Sequence, residues 1–119
     1  MRVVIAGSRS ITNYQDVLDA VEYAIEQGVI PTVVISGTAG GVDTLGEQFA
    51  AEFNIPVERF PADWKQYGKR AGYLRNVQMA EQADAVIVVW DGVSKGSQHM
   101  INIAKNHNLR VIVWSPKNL

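Results

Sequence analysis

The residues best suited to chemistry fall into three short runs: Gly7-Ser8-Arg9-Ser10, Ser36-Gly37-Thr38-Ala39-Gly40-Gly41-Val42-Asp43, and Asp91-Gly92-Val93-Ser94-Lys95-Gly96-Ser97. Glycine lets a backbone come close to an anion, and the free amides at a helix start point toward it. The helix dipole contributes only about 0.3–1 kcal/mol, so several amides and a cation have to share the task. Arg9 and Arg75 are the candidate cations, each charge-assisted bond adding ~1.5–3 kcal/mol. The clearest single expectation is a phosphate at the loop Ser36–Gly41. A glycine after a strand is also an ordinary tight turn, so the weight lies on three such loops meeting at one place.

Other motifs are absent. GxGxxG does not follow the first β-type run, no acidic residue ends the second, and GxxxxGK[ST] occurs nowhere. A standard NAD oxidoreductase and a P-loop NTPase are thereby disfavoured. The stretch Trp64 to Asn76, WKQYGKRAGYLRN, holds Lys65, Lys69, Arg70 and Arg75, four of the eleven cations, with Trp64, Tyr67 and Tyr73. It reads either as a patch that pairs phosphates and stacks a base, or as a solvated basic helix start. His99 follows Gly96-Ser97 closely enough to touch a ligand, although a solvent-facing helical histidine is the simpler expectation. His107, near a helix end, needs no role beyond the dipole. Asp43 opens a helix, where it either favours the dipole or accepts hydrogen bonds from a ribose. No metal site is expected: the two histidines are eight residues apart and no carboxylate cluster joins them.

These runs need elements to hold them. Arg2 to Ala6, Thr32 to Ser36, Pro56 to Phe60, Ala85 to Trp90 and Arg110 to Trp114 are β-branched runs that predict five strands. Between them lie helical periods. Thr12 to Gln15 has the form of a capping box before Val17, Val21, Ala24 and Ile25, and Gly28 stops that helix. The next helix has Val42, Leu45, Phe49 and Phe53 on one side, and the third has Leu74, Val77 and Ala80 or Ala83. A polar connection spans Pro61 to Gly68, and a last helix runs from about Lys95 to His107. Strand–helix alternation of this kind predicts a mainly parallel five-stranded sheet between two helical layers, with ligands at the carboxyl ends of the strands.

At 119 residues and 47% apolar, the chain suits one ordinary globular domain over residues 1–119. A net charge of −1 gives no global field for nucleic acid or membrane. The absence of cysteine suits a reducing compartment, and the four-residue apolar run near the N-terminus is too short for a signal peptide. A cytoplasmic location is the expectation, with no membrane partner.

The sequence SGTAGGVDTLGEQFAAE resembles the nucleotide-binding loop of the SMF/DprA–LOG superfamily, of the form SGxAxGxD. PADWKQYGKRAGYLRN and DGVSKGSQHMI are similar to its YspA or cpYpsA-related SLOG branch, and the likeness covers nearly the whole chain. The resemblance implies a Rossmann-like fold and a nucleotide, a nucleotide-derived signal or, in the DNA-processing branch, single-stranded DNA as ligand. Carried over by position, the ligand residues are Gly7, Ser8, Arg9, Ser36, Gly37, Gly40, Gly41, Asp43, Arg75, Asn76, Gly96 and Ser97, to which the loop chemistry adds Thr38 and Lys69. The hydrolase branch has a loop PGGxGTxxE; here Met100 stands where its glutamate belongs, and the double glycine is missing. The resemblance therefore favours a binding module without cofactor over a phosphoribohydrolase, with neutral charge weighing against single-stranded nucleic acid. Related proteins are often dimers or larger, and the apolar residues of the third helix region are compatible with a homo-oligomer without showing one.

Overall fold

The alternating runs place five strands side by side in the computed structural model, which describes residues 1–117. In chain order the elements are β1 (Arg2–Gly7), α1 (Tyr14–Glu26), β2 (Val33–Ser36), α2 (Val42–Glu52), β3 (Val57–Arg59), α3 (Trp64–Tyr67), a 3₁₀ turn (Gly68–Arg70), α4 (Ala71–Gln82), β4 (Ala85–Val89), α5 (Lys95–Asn106) and β5 (Arg110–Trp114). The sheet order is β3-β2-β1-β4-β5, and every pairing is parallel. β1 is the centre: the chain moves outward through β2 and β3, then returns across β1 to β4 and β5.

Strand side chains alternate between faces, and the two faces bury different helices. Val3 and Ile5 of β1 join Val17, Val21 and Ala24 of α1 and Val42, Phe49 and Ala50 of α2. Val4 and Ala6 face the other way, toward Met79 and Ala80 of α4 and Met100, Ile101 and Ala104 of α5. The result is the expected three-layer, Rossmann-like α/β architecture. β4 is buried along its whole length, as a central parallel strand requires. No helix among the described residues is long and apolar enough to cross a membrane.

Three local expectations change. The cap of α1 is Asn13, whose Oδ1 accepts from the Gln15 amide at 3.0 Å, in place of a Thr12–Gln15 box. Asn competes well at this position because its short side chain reaches the second amide directly. The Pro61–Gly68 connection contains the four-residue helix α3, capped by Asp63. The inner face of α4 consists of Ala71, Asn76, Met79 and Ala80, while Leu74 is exposed. α4 is thus rotated relative to its apolar pattern, and a polar residue, Asn76, points inward.

Candidate functional site

The reversal of winding on either side of β1 leaves a gap beyond the carboxyl ends of β1 and β4, where their connections diverge. A cleft of about 390 Å³ occupies that position. It is lined by Ala6, Gly7, Arg9 and Ser10 from β1 and its loop, by Ala39 and Asp43, by Arg75 and Asn76 of α4, and by Asp91, Ser94, Gly96, Ser97 and Met100 from the β4–α5 connection and α5. Of the residues singled out in the sequence, Gly7, Arg9, Asp43, Arg75, Asn76, Gly96 and Ser97 come together here.

The remaining ones build the walls instead. Ser8 is buried; its amide donates to Val89 O at 3.1 Å, and its Oγ accepts from the Asp91 amide at 3.0 Å. This single residue thereby ties the β1 loop to the end of β4. Ser36 Oγ donates to Glu47 at 2.7 Å and accepts from the Thr38 amide at 3.1 Å. Glu47 in turn receives Arg59 Nε at 2.8 Å, which fixes the loop start to β3. Gly41 has φ +66°, and a Cβ there would lie 2.5 Å from Arg9 Cα and from Ser8 O. Its glycine is required for two loops to cross closely. Gly40 and Thr38 are exposed and lie outside the cleft lining, as does Lys69 in the 3₁₀ turn.

Part of the Ser36–Gly41 loop is closed by its own chain, while the Gly37, Gly40 and Gly41 amides have no acceptor among the described residues. The Thr38 amide goes to Ser36, the Ala39 amide to Asp43 Oδ2 at 3.1 Å, and the Val42 amide to Ser8 O. The loop's own contribution to the cleft lining is Ala39, and Gly37 matters for what packs against it. A Cβ at Gly37 would meet Asp43 Oδ2 at 2.8 Å and Arg75 Nη1 at 2.9 Å, so both functional side chains fill the space a larger residue would need. Arg75 Nη1 donates to Gly37 O, and its Nε donates to Asn76 Oδ1 at 3.0 Å. Nη2 has no acceptor among the described residues. Arg9 is exposed at the cleft and has no hydrogen bond or ion pair among them either.

The charges of Asp43 and Arg75 are poorly compensated. Burial raises the Asp43 pKa above the ordinary carboxylate value, against the lowering effects of the Ala39 amide and of Arg75 and Arg9. Burial likewise lowers the Arg75 pKa, opposed by Asp43, although a guanidinium remains charged. Both shifts have the sign expected of groups that lost water and did not recover it from each other. Asp91 is the opposite case. The Val93 and Ser94 amides bind its Oδ1 at 2.9 Å each and hold its pKa below the usual carboxylate value, while Ser10 Oγ donates to Oδ2 at 3.1 Å. Its oxygens shape the β4–α5 loop, helped by Trp90 Nε1 donating to Ser94 O.

Sequence reasoning did not assign Ala6, Ser10, Asp91, Ser94 or Met100 to the ligand residues, and placed Ala39 in the phosphate loop without a role; Ser10, Asp91 and Ser94 lay within the glycine-rich runs and were the legible ones. His99 differs from expectation too. It is half-buried, 4.5 Å ring to ring from Tyr73, and its Nδ1 lies 3.1 Å from Asn76 Nδ2. An amide NH₂ donates, so Nδ1 is the acceptor of a neutral ring, and burial lowers the His99 pKa below 6.5. A depressed histidine pKa means the unfolded chain takes up the proton first. The associated stability is complete above pH 6.5 and is lost as pH falls through the folded-state value. His99→Gln retains an acceptor for Asn76 without the titration. Its melting temperature is expected to fall less than the wild type's between about pH 7 and pH 5.

A family model described as YAcAr, the YspA, cpYpsA-related SLOG family, matches residues 1–67. Gene 61 protein of Mycobacterium phage D29 is 33% identical over 122 residues, covering 98% of each chain. No solved structure matches.

Proposed function

The chain belongs to the YspA, cpYpsA-related SLOG family, and from that premise we propose that it binds a nucleotide or nucleotide-derived small molecule. One observation supports this reading above the others: Arg9, without a partner among the described residues, and Arg75, braced by Gly37 and Asn76, line the same cleft at the β1–β4 switch point. The phosphate would lie beside Arg9 at the start of α5, where Gly96 and Ser97 line the cleft. Gly96 places no side chain between backbone and ligand, and the dipole of the 12-residue α5 favours an anion there. The Ser36–Gly41 loop would serve indirectly, by holding Arg75 and Asp43 in place. Calorimetry against nucleoside monophosphates, ADP-ribose and cyclic dinucleotides tests the reading. Saturable binding of at least one is expected; a folded protein that binds none of them contradicts it.

Turnover is a second reading, favoured by Asp43, a cleft carboxylate whose pKa is raised by burial as acid–base catalysis requires. Met100 offers no ionisable group at the position of the hydrolase-branch glutamate. Release of free base from AMP, followed by chromatography, would establish it; intact nucleotide after prolonged incubation would leave binding alone.

A further inference from the structure

Asp43 raises a question that phosphate binding does not answer. It is a carboxylate, 5% exposed, in the first turn of α2 and facing a cleft whose other charged groups include Arg9 and Arg75. Its Oδ2 accepts from the Ala39 amide. Its Oδ1 has no donor among the described residues, yet no buried side-chain oxygen or nitrogen there lacks a partner. Oδ1 must therefore be the part of Asp43 that opens on the cleft. Nor does Arg75 neutralise it directly, since the ion pairs among the described residues are Arg2–Glu58 and Arg59–Glu47. The Oδ1 oxygen is solvated when the cleft is empty, and a ligand that covers it has to supply a donor in place of that water.

A phosphate is a poor candidate for that donor, since it is largely dianionic at neutral pH and is repelled by the carboxylate. The rest of the cleft points to what it is. Asp91 also lines the cleft, but two amides and Ser10 already occupy its oxygens. Asn76 has its oxygen on Arg75 and its NH₂ toward His99 and Gly96 O. Among the charged side chains of the cleft, the free groups are thus two cationic donors and one anionic acceptor. Their complement is a ligand whose anionic group adjoins hydroxyls.

We infer that Asp43 Oδ1 is the hydroxyl acceptor of the site, and that it selects phosphorylated sugars with vicinal hydroxyls over their deoxy counterparts. The inference rests on the phosphate-binding reading above. It adds a specificity that this reading does not contain, because phosphate contacts alone treat ribose and 2-deoxyribose alike.

Sugar phosphates without a base test it, since the base is left open. Titration by NMR with ribose 5-phosphate and 2-deoxyribose 5-phosphate is expected to give about tenfold tighter binding of the former, one charge-assisted hydrogen bond being at stake. Asp43→Asn keeps an oxygen for the Ala39 amide and is expected to bring the ratio close to one. In the wild type, the Asp43 carboxyl ¹³C resonance should move with ribose 5-phosphate and stay in place with the deoxy sugar, a readout that needs no variant to fold. Equal affinity for the two sugars in the wild type overturns the inference and leaves phosphate binding intact. A ribose preference that survives in Asp43→Asn, or an unmoved carboxyl resonance, overturns the role of Asp43. Failure of both sugars to bind, with nucleotides failing as well, removes the phosphate reading and the inference with it.

Discussion

Replacing Gly7 by alanine is expected to cost more than ~3 kcal/mol of stability, the upper end of what overpacking ordinarily costs. A Cβ at this position would lie 2.0 Å from Val89 O and 2.9 Å from Val42 Cγ2. The first contact is with backbone of the neighbouring strand, in register through the Gly7–Val89 pairing, and backbone cannot swing aside as a side-chain tip does. Relief would require separating β1 from β4 at the point where Ser8 donates to Val89 O and receives the Asp91 amide. The cleft lining at Gly7 and the central strand pair would be lost together. Thermal melting checks this: the variant should melt at least ~10 °C lower or fail to fold. A melting temperature within a degree or two of wild type would show that the β1–β4 contact is looser than described. Gly40→Ala is the control, because a Cβ there meets nothing within 4 Å.

Loss of the Arg75 guanidinium has the largest expected effect on binding. Arg75→Met keeps much of the stem but removes the donors to Gly37 O and Asn76 Oδ1 and the free Nη2. It also removes the lowering influence on the Asp43 pKa, leaving that carboxylate buried with less compensation. The one charge-assisted bond that Nη2 can give a ligand corresponds to roughly 10- to 100-fold in affinity, and loss of the brace adds to it. Arg75→Lys should recover only a small part of this, since an ammonium cannot serve Gly37 O and Asn76 Oδ1 in the same plane while presenting a third donor. Calorimetry with whichever nucleotide binds the wild type supplies the measurement. An Arg75→Met protein that is folded and binds within threefold of wild type would place the anion elsewhere.

The strands and their order of appearance were legible because parallel, doubly covered strands are uninterrupted β-branched runs, as Val33–Ser36 and Ala85–Val89 are. Glycine-rich loops at strand ends were legible for the same reason, since they interrupt those runs. α4 was not. Its inner face includes Asn76, which braces Arg75 and meets His99, so an apolar count assigned Leu74 to the core and left the polar residue outside. A hydrogen-bonding residue takes the inward position that the apolar pattern gave to Leu74. The internal closure of the Ser36–Gly41 loop was hidden as well. It depends on Glu47 meeting both Ser36 and Arg59, and on Asp43 turning back to the Ala39 amide, contacts that spacing alone does not specify. The short helix α3 offered no period to read, having only four residues.

The basic stretch before α4 separates along the same lines. Arg75 and Asn76 reach the cleft, whereas Lys65, Lys69 and Arg70 are exposed and line no part of it. This division allows the most direct test of the central proposal, that an anion binds at the β1–β4 edge. Backbone amide shifts are followed by NMR while ribose 5-phosphate is added to the wild type and to Arg75→Met. The account predicts saturable shifts at Gly7, Arg9, Gly96 and Ser97 in the wild type and their loss in the variant. Shifts confined to Lys65 through Arg70, or no saturable shift at all with nucleotides giving the same answer, would contradict it.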